Sequence, residues 1–222
     1  MREIVFPPVD SADPDGIVAV GGDFEIDMLM SAYSQGIFPW PVSKQYPRVW
    51  FSPDPRGIIE LESLHVPRSF KKFLKVTDFR ITFNQDFEKV IELCATVKRK
   101  DQPSTWITDE LKEAYINLFN HKLAYSVEVW NSKGLLVGGL YGVVMGEFVS
   151  GESMFMLEEN ASKFALYSLC LHLKEKNITF LDTQMITDVV KLFGGQYIPR
   201  EDFINKLKTL DWFKDRSETF PD

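Results

Sequence analysis

Two short apolar stretches of this chain end in polar groups that could act together. In Phe180-Leu181-Asp182-Thr183-Gln184, a carboxylate and an amide stand two residues apart. Strand alternation puts such residues on one face, so Asp182 and Gln184 are expected to project side by side. A neutral amide is no strong base, but its carbonyl oxygen accepts a hydrogen bond while a neighbouring carboxylate fixes its orientation. The second stretch, Gly151-Glu152-Ser153-Met154-Phe155, offers Glu152 as a further carboxylate. On residue types alone, the Asp182/Gln184 pair reads as a satisfied polar couple at a strand end, and Glu152 as one half of a salt bridge within the fold.

The elements that must hold these groups follow from hydrophobic periodicity. Residues 17–22 read as a strand ending in two glycines. Leu29, Ala32 and Tyr33 then recur at helical spacing until Gly36 stops the helix. From Phe38 to Arg56 the chain is rich in proline and aromatics, which make poor helix and strand material, so a rigid loop-built wall is expected. Next come a basic helix to about Lys75, a strand over 79–83, and a helix striped by Phe87, Val90, Ile91 and Cys94. Trp106-Ile107-Thr108 leads into a helix through Leu111, Ala114, Tyr115 and Leu118. Segments 125–130 and 135–145 flank the turn Asn131-Ser132-Lys133-Gly134 and read as a hairpin. A continuous strand over 148–155, a helix over 162–176 and a strand over 178–185 follow. The pattern predicts an α+β protein: a small N-terminal domain over residues 1–62 and a larger mixed-sheet domain over 63–222.

Composition narrows the function classes. The 222 residues can bury a full core, and 45% are hydrophobic, which fits neither a disordered nor a membrane-spanning chain. There is no run of eighteen apolar residues, and Met1-Arg2-Glu3-Ile4-Val5-Phe6-Pro7-Pro8 lacks the features of a signal peptide, so the cytoplasm is expected. Cys94 and Cys170 lie in apolar helical patterns without metal-ligand spacing, which predicts buried thiols and implies no metal. The net charge of −7 argues against a general nucleic-acid binder. It leaves room for a local basic patch, and Arg68, Lys71, Lys72 and Lys75 fall on one side of a helix within two turns. Lys98-Arg99-Lys100 reads as solvated surface charge.

Six motifs, Gly-Ile-Phe-Pro-Trp, Ser-Pro-Asp-Pro-Arg, Thr-Trp-Ile-Thr, Gly-Gly-x-Tyr-Gly, Gly-Glu-Ser-Met-Phe and Asn-Ala-Ser-Lys, follow in this order between residues 36 and 163. Their combination resembles the leucyl/phenylalanyl-tRNA–protein transferase family. The resemblance implies an enzyme that moves Leu or Phe, or Met, from aminoacyl-tRNA to the N-terminal Arg or Lys of a protein, marking it for N-degron proteolysis. It implies no cofactor and a larger domain with the acyltransferase fold shared by acetyltransferases and Fem-type peptidoglycan aminoacyltransferases; a monomer is expected.

By the same resemblance, Asp182 and Gln184 are catalytic, and Glu152 binds the acceptor or supports Gln184. The reaction would be aminolysis of an ester by an α-amine whose pKa of roughly 7.7 to 8.0 leaves a useful neutral fraction, so positioning should supply much of the rate. The family pattern has Cys where Thr183 stands. Trp40 and Trp106 would stack around the terminal adenosine of the tRNA, with Tyr115 closing the same site. The pocket for the transferred side chain would be lined by Leu140, Val149, Ser153, Met154, Leu169 and Leu173; Leu140, Val149, Leu169 and Leu173 stand where the family often has Met or Phe. Arg68, Lys71, Lys72 and Lys75 would contact tRNA phosphates, with Val76 replacing a basic residue of the family pattern.

Three rivals remain. An acetyl-CoA-dependent acetyltransferase needs a Gln/Arg-x-x-Gly-x-Gly/Ala loop for the pyrophosphate, and Gly21-Gly22, Gly138-Gly139 and Gly194-Gly195 all lack its pattern. A Fem-type peptidoglycan aminoacyltransferase would differ in acceptor. A non-catalytic tRNA-binding or degron-binding module would require loss of the Asp182/Gln184 pair, which is intact.

Overall fold

The computed structural model describes residues 4–42, 46, 48–97 and 105–220. The Lys98-Arg99-Lys100 run lies outside the described residues. In chain order the elements are β1 (Ile17–Val20), α1 (Ile26–Ser34), β2 (Phe38–Pro39), β3 (Val49–Phe51), β4 (Arg56–Glu60), α2 (Arg68–Leu74), β5 (Arg80–Phe83) and α3 (Phe87–Thr96). They continue with α4 (Asp109–Asn120), β6 (Ala124–Trp130), β7 (Leu136–Met145), β8 (Phe148–Val149), β9 (Ser153–Met156), α5 (Ala161–Glu175), β10 (Phe180–Gln184), α6 (Asp188–Leu192), β11 (Gln196–Ile198), α7 (Arg200–Leu207) and α8 (Arg216–Thr219).

The central sheet is built on β6, whose residues from Ala124 to Val129 are all buried, as a strand covered on both faces requires. β5 and β7 flank β6 as antiparallel neighbours, and β8 and β9 follow one another along the far edge of β7. The expected hairpin is present, its turn closed by the Asn131 side chain, which accepts from the N–H groups of Lys133 and Leu135. Helices α3 and α4 pack on one face of this sheet and α5 on the other, each with its apolar stripe inward. Asp86 caps α3 and Thr108 caps α4 by accepting from the backbone of Lys89 and Leu111, which supplies partners for otherwise open N–H groups. Cys94 and Cys170 are buried within these layers. Among the described residues, no helix is long and apolar enough to cross a membrane.

Two other sheets frame the first. The N-terminal sheet has the order β1-β3-β2, and the third has β4 between β10 and β11. The segment expected to be wholly loop therefore contains two strands. Proline is tolerated there because Pro39 sits on β2, an edge strand where a missing N–H breaks no second ladder. Strand β4 precedes the expected boundary at residue 62, yet both its neighbours come from the last third of the chain.

The strand expected to run unbroken over 148–155 is interrupted. Ser150 and Glu152 keep their N–H bonds to Val143 and Tyr141 of β7, but Gly151 turns its N–H to the carbonyl of Asp182 at 2.8 Å. The cause lies across the ladder at Gly142, where an added Cβ would lie 1.8 Å from the Ser150 carbonyl oxygen. The close approach requires glycine, and it brings the β8–β9 edge to β10 through a parallel bridge between Ser150 and Asp182.

Candidate active site

β10 is irregular where its polar groups stand. Asp182 pairs with Ile58 of β4, but Gln184 pairs with Gly57, so an extra residue is accommodated between them. Gln184 takes φ 54°, in the left-handed region, and Met185 crosses Gly57 so closely that a Cβ there would lie 2.8 Å from the Met185 backbone. This bulge ends the simple alternation expected for the pair. The Asp182 carboxylate therefore meets Gln184 at its backbone, accepting from the N–H at 3.0 Å, and the Gln184 side-chain amide is left to another partner.

That partner is Glu152. Gln184 Nε2 donates to Glu152 Oε1 at 2.9 Å, and the Ser150 hydroxyl donates to the same oxygen at 2.7 Å. Tyr115 donates its hydroxyl to Glu152 Oε2 at 3.0 Å, and the hydroxyls of Tyr115 and Tyr33 lie 2.7 Å apart. Either phenol can donate to the other, and Tyr33 also lies within reach of Glu152. The two interruptions, at 150–152 and at 183–184, thus bring groups from α1, α4, the β8–β9 edge and β10 to one centre.

Burial raises the Glu152 pKa above the ordinary carboxylate value, and the charge of Asp182 adds to the rise, while hydrogen bonds from Ser150, Tyr115 and Tyr33 oppose it. The phenols of Tyr33 and Tyr115 are held well above their usual range, chiefly by burial and then by the negative charge of Glu152. They are donors throughout the physiological range.

Asp182 is itself fully enclosed and neutralised. Arg56 Nε donates to Oδ1 at 2.9 Å and Nη2 to Oδ2 at 2.7 Å, a bidentate pair in which both side chains are essentially inaccessible. The third guanidinium nitrogen, Nη1, donates to the carbonyl of Gly36 at 2.9 Å. The rings of Phe38 and Phe203 lie 4.7 and 4.4 Å from the guanidinium carbon, so the cation is held between two aromatic faces.

The remaining expected residues fall into three groups. Trp40 and Trp106, 66 positions apart, stack on each other with centroids 5.0 Å apart and planes 9° from parallel, and both remain partly accessible. Tyr115, expected beside them, is fully buried and spends its hydroxyl on Glu152. Leu140, Val149, Leu169 and Leu173 belong to one core cluster between the central sheet and α5 and are at most 3% exposed, whereas Ser153 and Met154 on β9 are half-buried. Arg68, Lys71, Lys72 and Lys75 are all exposed on or just beyond α2, which is anchored underneath by Phe70 against Phe73, Tyr167 and Phe193.

The profile of the Leucyl/phenylalanyl-tRNA protein transferase family matches residues 58–208, and that of the family's N-terminal domain matches residues 22–54. The chain belongs to this transferase family. It is 45% identical to a leucyl/phenylalanyl-tRNA–protein transferase from Maridesulfovibrio salexigens, over 93% of this chain and 86% of that protein. A protein of the same name from Pseudomonas fluorescens is 44% identical over 93% of this chain and 91% of its own length. Among solved structures, a GNAT-family acetyltransferase from Staphylococcus aureus is similar over 45% of this chain and 68% of that one, at 15% identity and a TM-score of 0.36.

Two residues of this transferase's polar centre carry no role in the sequence reading. Tyr33 appears there only as part of a helical apolar stripe, and Arg56 only as the last letter of a motif. Arg56 had a usable signal: an arginine opening the apolar run Arg-Gly-Ile-Ile faces burial, and a buried guanidinium needs a carboxylate partner. Tyr33 had none, because its partner Tyr115 is 82 positions away.

Proposed function

We propose that this enzyme transfers Leu or Phe, or Met, from aminoacyl-tRNA to the N-terminal Arg or Lys of acceptor proteins, which marks them for N-degron proteolysis. The observation that carries the residue assignment is the grip of Glu152 on the Gln184 amide. With Nε2 committed to Glu152, the carbonyl oxygen of Gln184 points the other way, as an acceptor for an amine N–H.

The neutral α-amine of the acceptor attacks the ester carbonyl carbon. A C–N bond forms, the bond to the tRNA ribose oxygen breaks, and that oxygen departs with the proton released by the amine. Gln184 accepts a hydrogen bond from the amine and strengthens it as positive charge develops on nitrogen. Glu152 fixes the amide; we assign it support of Gln184, because four neighbouring groups already donate to or surround its oxygens. Asp182 fixes the backbone of Gln184.

Trp40 and Trp106 form a platform for the terminal adenine, where stacking is worth roughly 1 to 3 kcal/mol per base. The apolar wall of Leu140, Val149, Met154, Leu169 and Leu173, beside Ser153, receives the transferred side chain after adjustment of its packing. Arg68, Lys71, Lys72 and Lys75 meet the tRNA backbone. The chain acts as a cytoplasmic monomer, with its small domain divided from the larger one near residue 62.

Incubation with tRNA charged with each amino acid and a peptide starting with Arg or Lys, followed by mass measurement of the peptide, tests this reading. Addition of one Leu or Phe residue is expected. Transfer to lipid-linked peptide in place of Arg-peptide, or no transfer to either, would contradict it.

A further inference from the structure

The guanidinium of Arg56 contacts Asp182, Gly36, Phe38 and Phe203. Its bidentate bond fixes Asp182, whose Oδ1 in turn holds the N–H of Gln184 in its left-handed conformation. Its remaining nitrogen holds the carbonyl of Gly36, at the start of the segment that carries Phe38 and Trp40. Phe38 lies over the guanidinium and meets Trp40 edge to face at 6.2 Å, and Trp40 stacks on Trp106. From the other side, Phe203 of α7 closes the sandwich. One buried cation thus ties the amide that would meet the amine to the aromatic platform that would meet the tRNA end.

We propose that Arg56 is a positioning residue for aminoacyl transfer: it sets the register of the Trp40/Trp106 platform against Gln184. Charge alone does not account for the arrangement. A lysine would neutralise Asp182 equally well, but it cannot present two parallel donors to the carboxylate and a third to Gly36, nor lie flat between two rings. Arg56 is too enclosed to touch substrate, at 1% exposure, so its effect passes through Asp182 and Gly36. Misplacement of reacting groups by about 1 Å can cost about 10²-fold in rate. Trp40 follows β2, Trp106 precedes α4 and Gln184 ends β10, so loss of their common tie affects the chemical step more than either binding event.

The inference rests on the transfer reaction proposed above. The test is a comparison of kcat and of KM for Leu-tRNA and for an Arg-starting peptide in wild type, Arg56→Lys and Phe203→Leu, with thermal melts alongside. Arg56→Lys is expected to lower kcat by about 100-fold with each KM within a few-fold of wild type. Phe203→Leu, which loosens the guanidinium without removing a hydrogen bond, is expected to fall between the two and decides the matter if Arg56→Lys does not fold. A folded Arg56→Lys with unchanged kcat, a loss expressed in KM, or a Phe203→Leu variant with lowered melting temperature and unchanged kcat overturns the proposal. A wild-type enzyme that transfers nothing would sink the reaction assignment instead.

Discussion

The polar centre and the basic helix α2 both carry charge, yet they hold it in opposite ways. At the centre, Arg56, Asp182, Glu152, Tyr115 and Tyr33 are tied by bonds of 2.7 to 3.0 Å, and Asp182 and Gln184 lie almost out of reach of solvent. On α2, Arg68, Lys71, Lys72 and Lys75 stand exposed over a buried aromatic anchor. Buried and enclosed charges act through fixed geometry, so altering one member displaces the others. Exposed charges act through a shared potential that salt screens, so each one is partly replaceable. The centre should therefore govern the rate of reaction and α2 the affinity for the long polyanion.

The largest effect is expected at Gln184. Gln184→Ala should lower single-turnover transfer by about 10²-fold or more while the dissociation constant for aminoacyl-tRNA stays near that of wild type. Full turnover by the folded variant would remove Gln184 from the mechanism. Glu152 gives a smaller loss with a distinctive pH dependence. Its raised pKa means that activity supported by the carboxylate is lost as pH falls through a value above 4.5, the ordinary position of the group. The linked stability runs the other way: the folded state holds this proton to higher pH than the unfolded chain, so Glu152 disfavours folding as pH rises and does not drive acid unfolding in that window. Protonation of the acceptor α-amine gives one acid limb, and Glu152 should add a second without loss of near-ultraviolet circular dichroism, which Glu152→Gln should remove at about 10-fold lower kcat.

Reversal of charge at Arg68, Lys72 and Lys75 together is expected to weaken full tRNA by about 10-fold and to flatten the salt dependence by about two units of slope. A short aminoacyl-adenosine analogue should bind as before; equal loss for both ligands would point to damage beyond α2. The smallest effect concerns selectivity. Leu169→Phe fills space in the apolar wall and should depress Phe transfer several-fold more than Leu transfer, while Ile is a poor substrate throughout. An unchanged Phe/Leu ratio would place the pocket elsewhere.

The same contrast explains what could be read from the sequence. The stripe of Phe87, Val90, Ile91 and Cys94 is an intrinsic property of one helix, and all four are buried on α3 as expected. The exposure of the α2 cations follows equally from local spacing. The centre depends on long-range events: the break at Gly151 is set by Gly142, and the bulge at Gln184 by Gly57, which lies 127 positions earlier. Strand alternation correctly joined residues 182 and 184 in one region, but assigned their contact to two side chains where a backbone N–H and a carboxylate meet. The motifs named Glu152 without choosing its task, and the choice rests on an amide whose hydrogen bond crosses 32 positions.

A double-mutant cycle on kcat with Glu152→Ala and Gln184→Ala tests the central claim most directly, because Glu152 is held to act through the Gln184 amide. With both residues working as one device, the double variant should be scarcely slower than Gln184→Ala alone, and the coupling should nearly equal the single effect of Glu152→Ala. Losses that multiply, so that the double variant is slower by the product of the two single effects, would show independent roles and contradict the account.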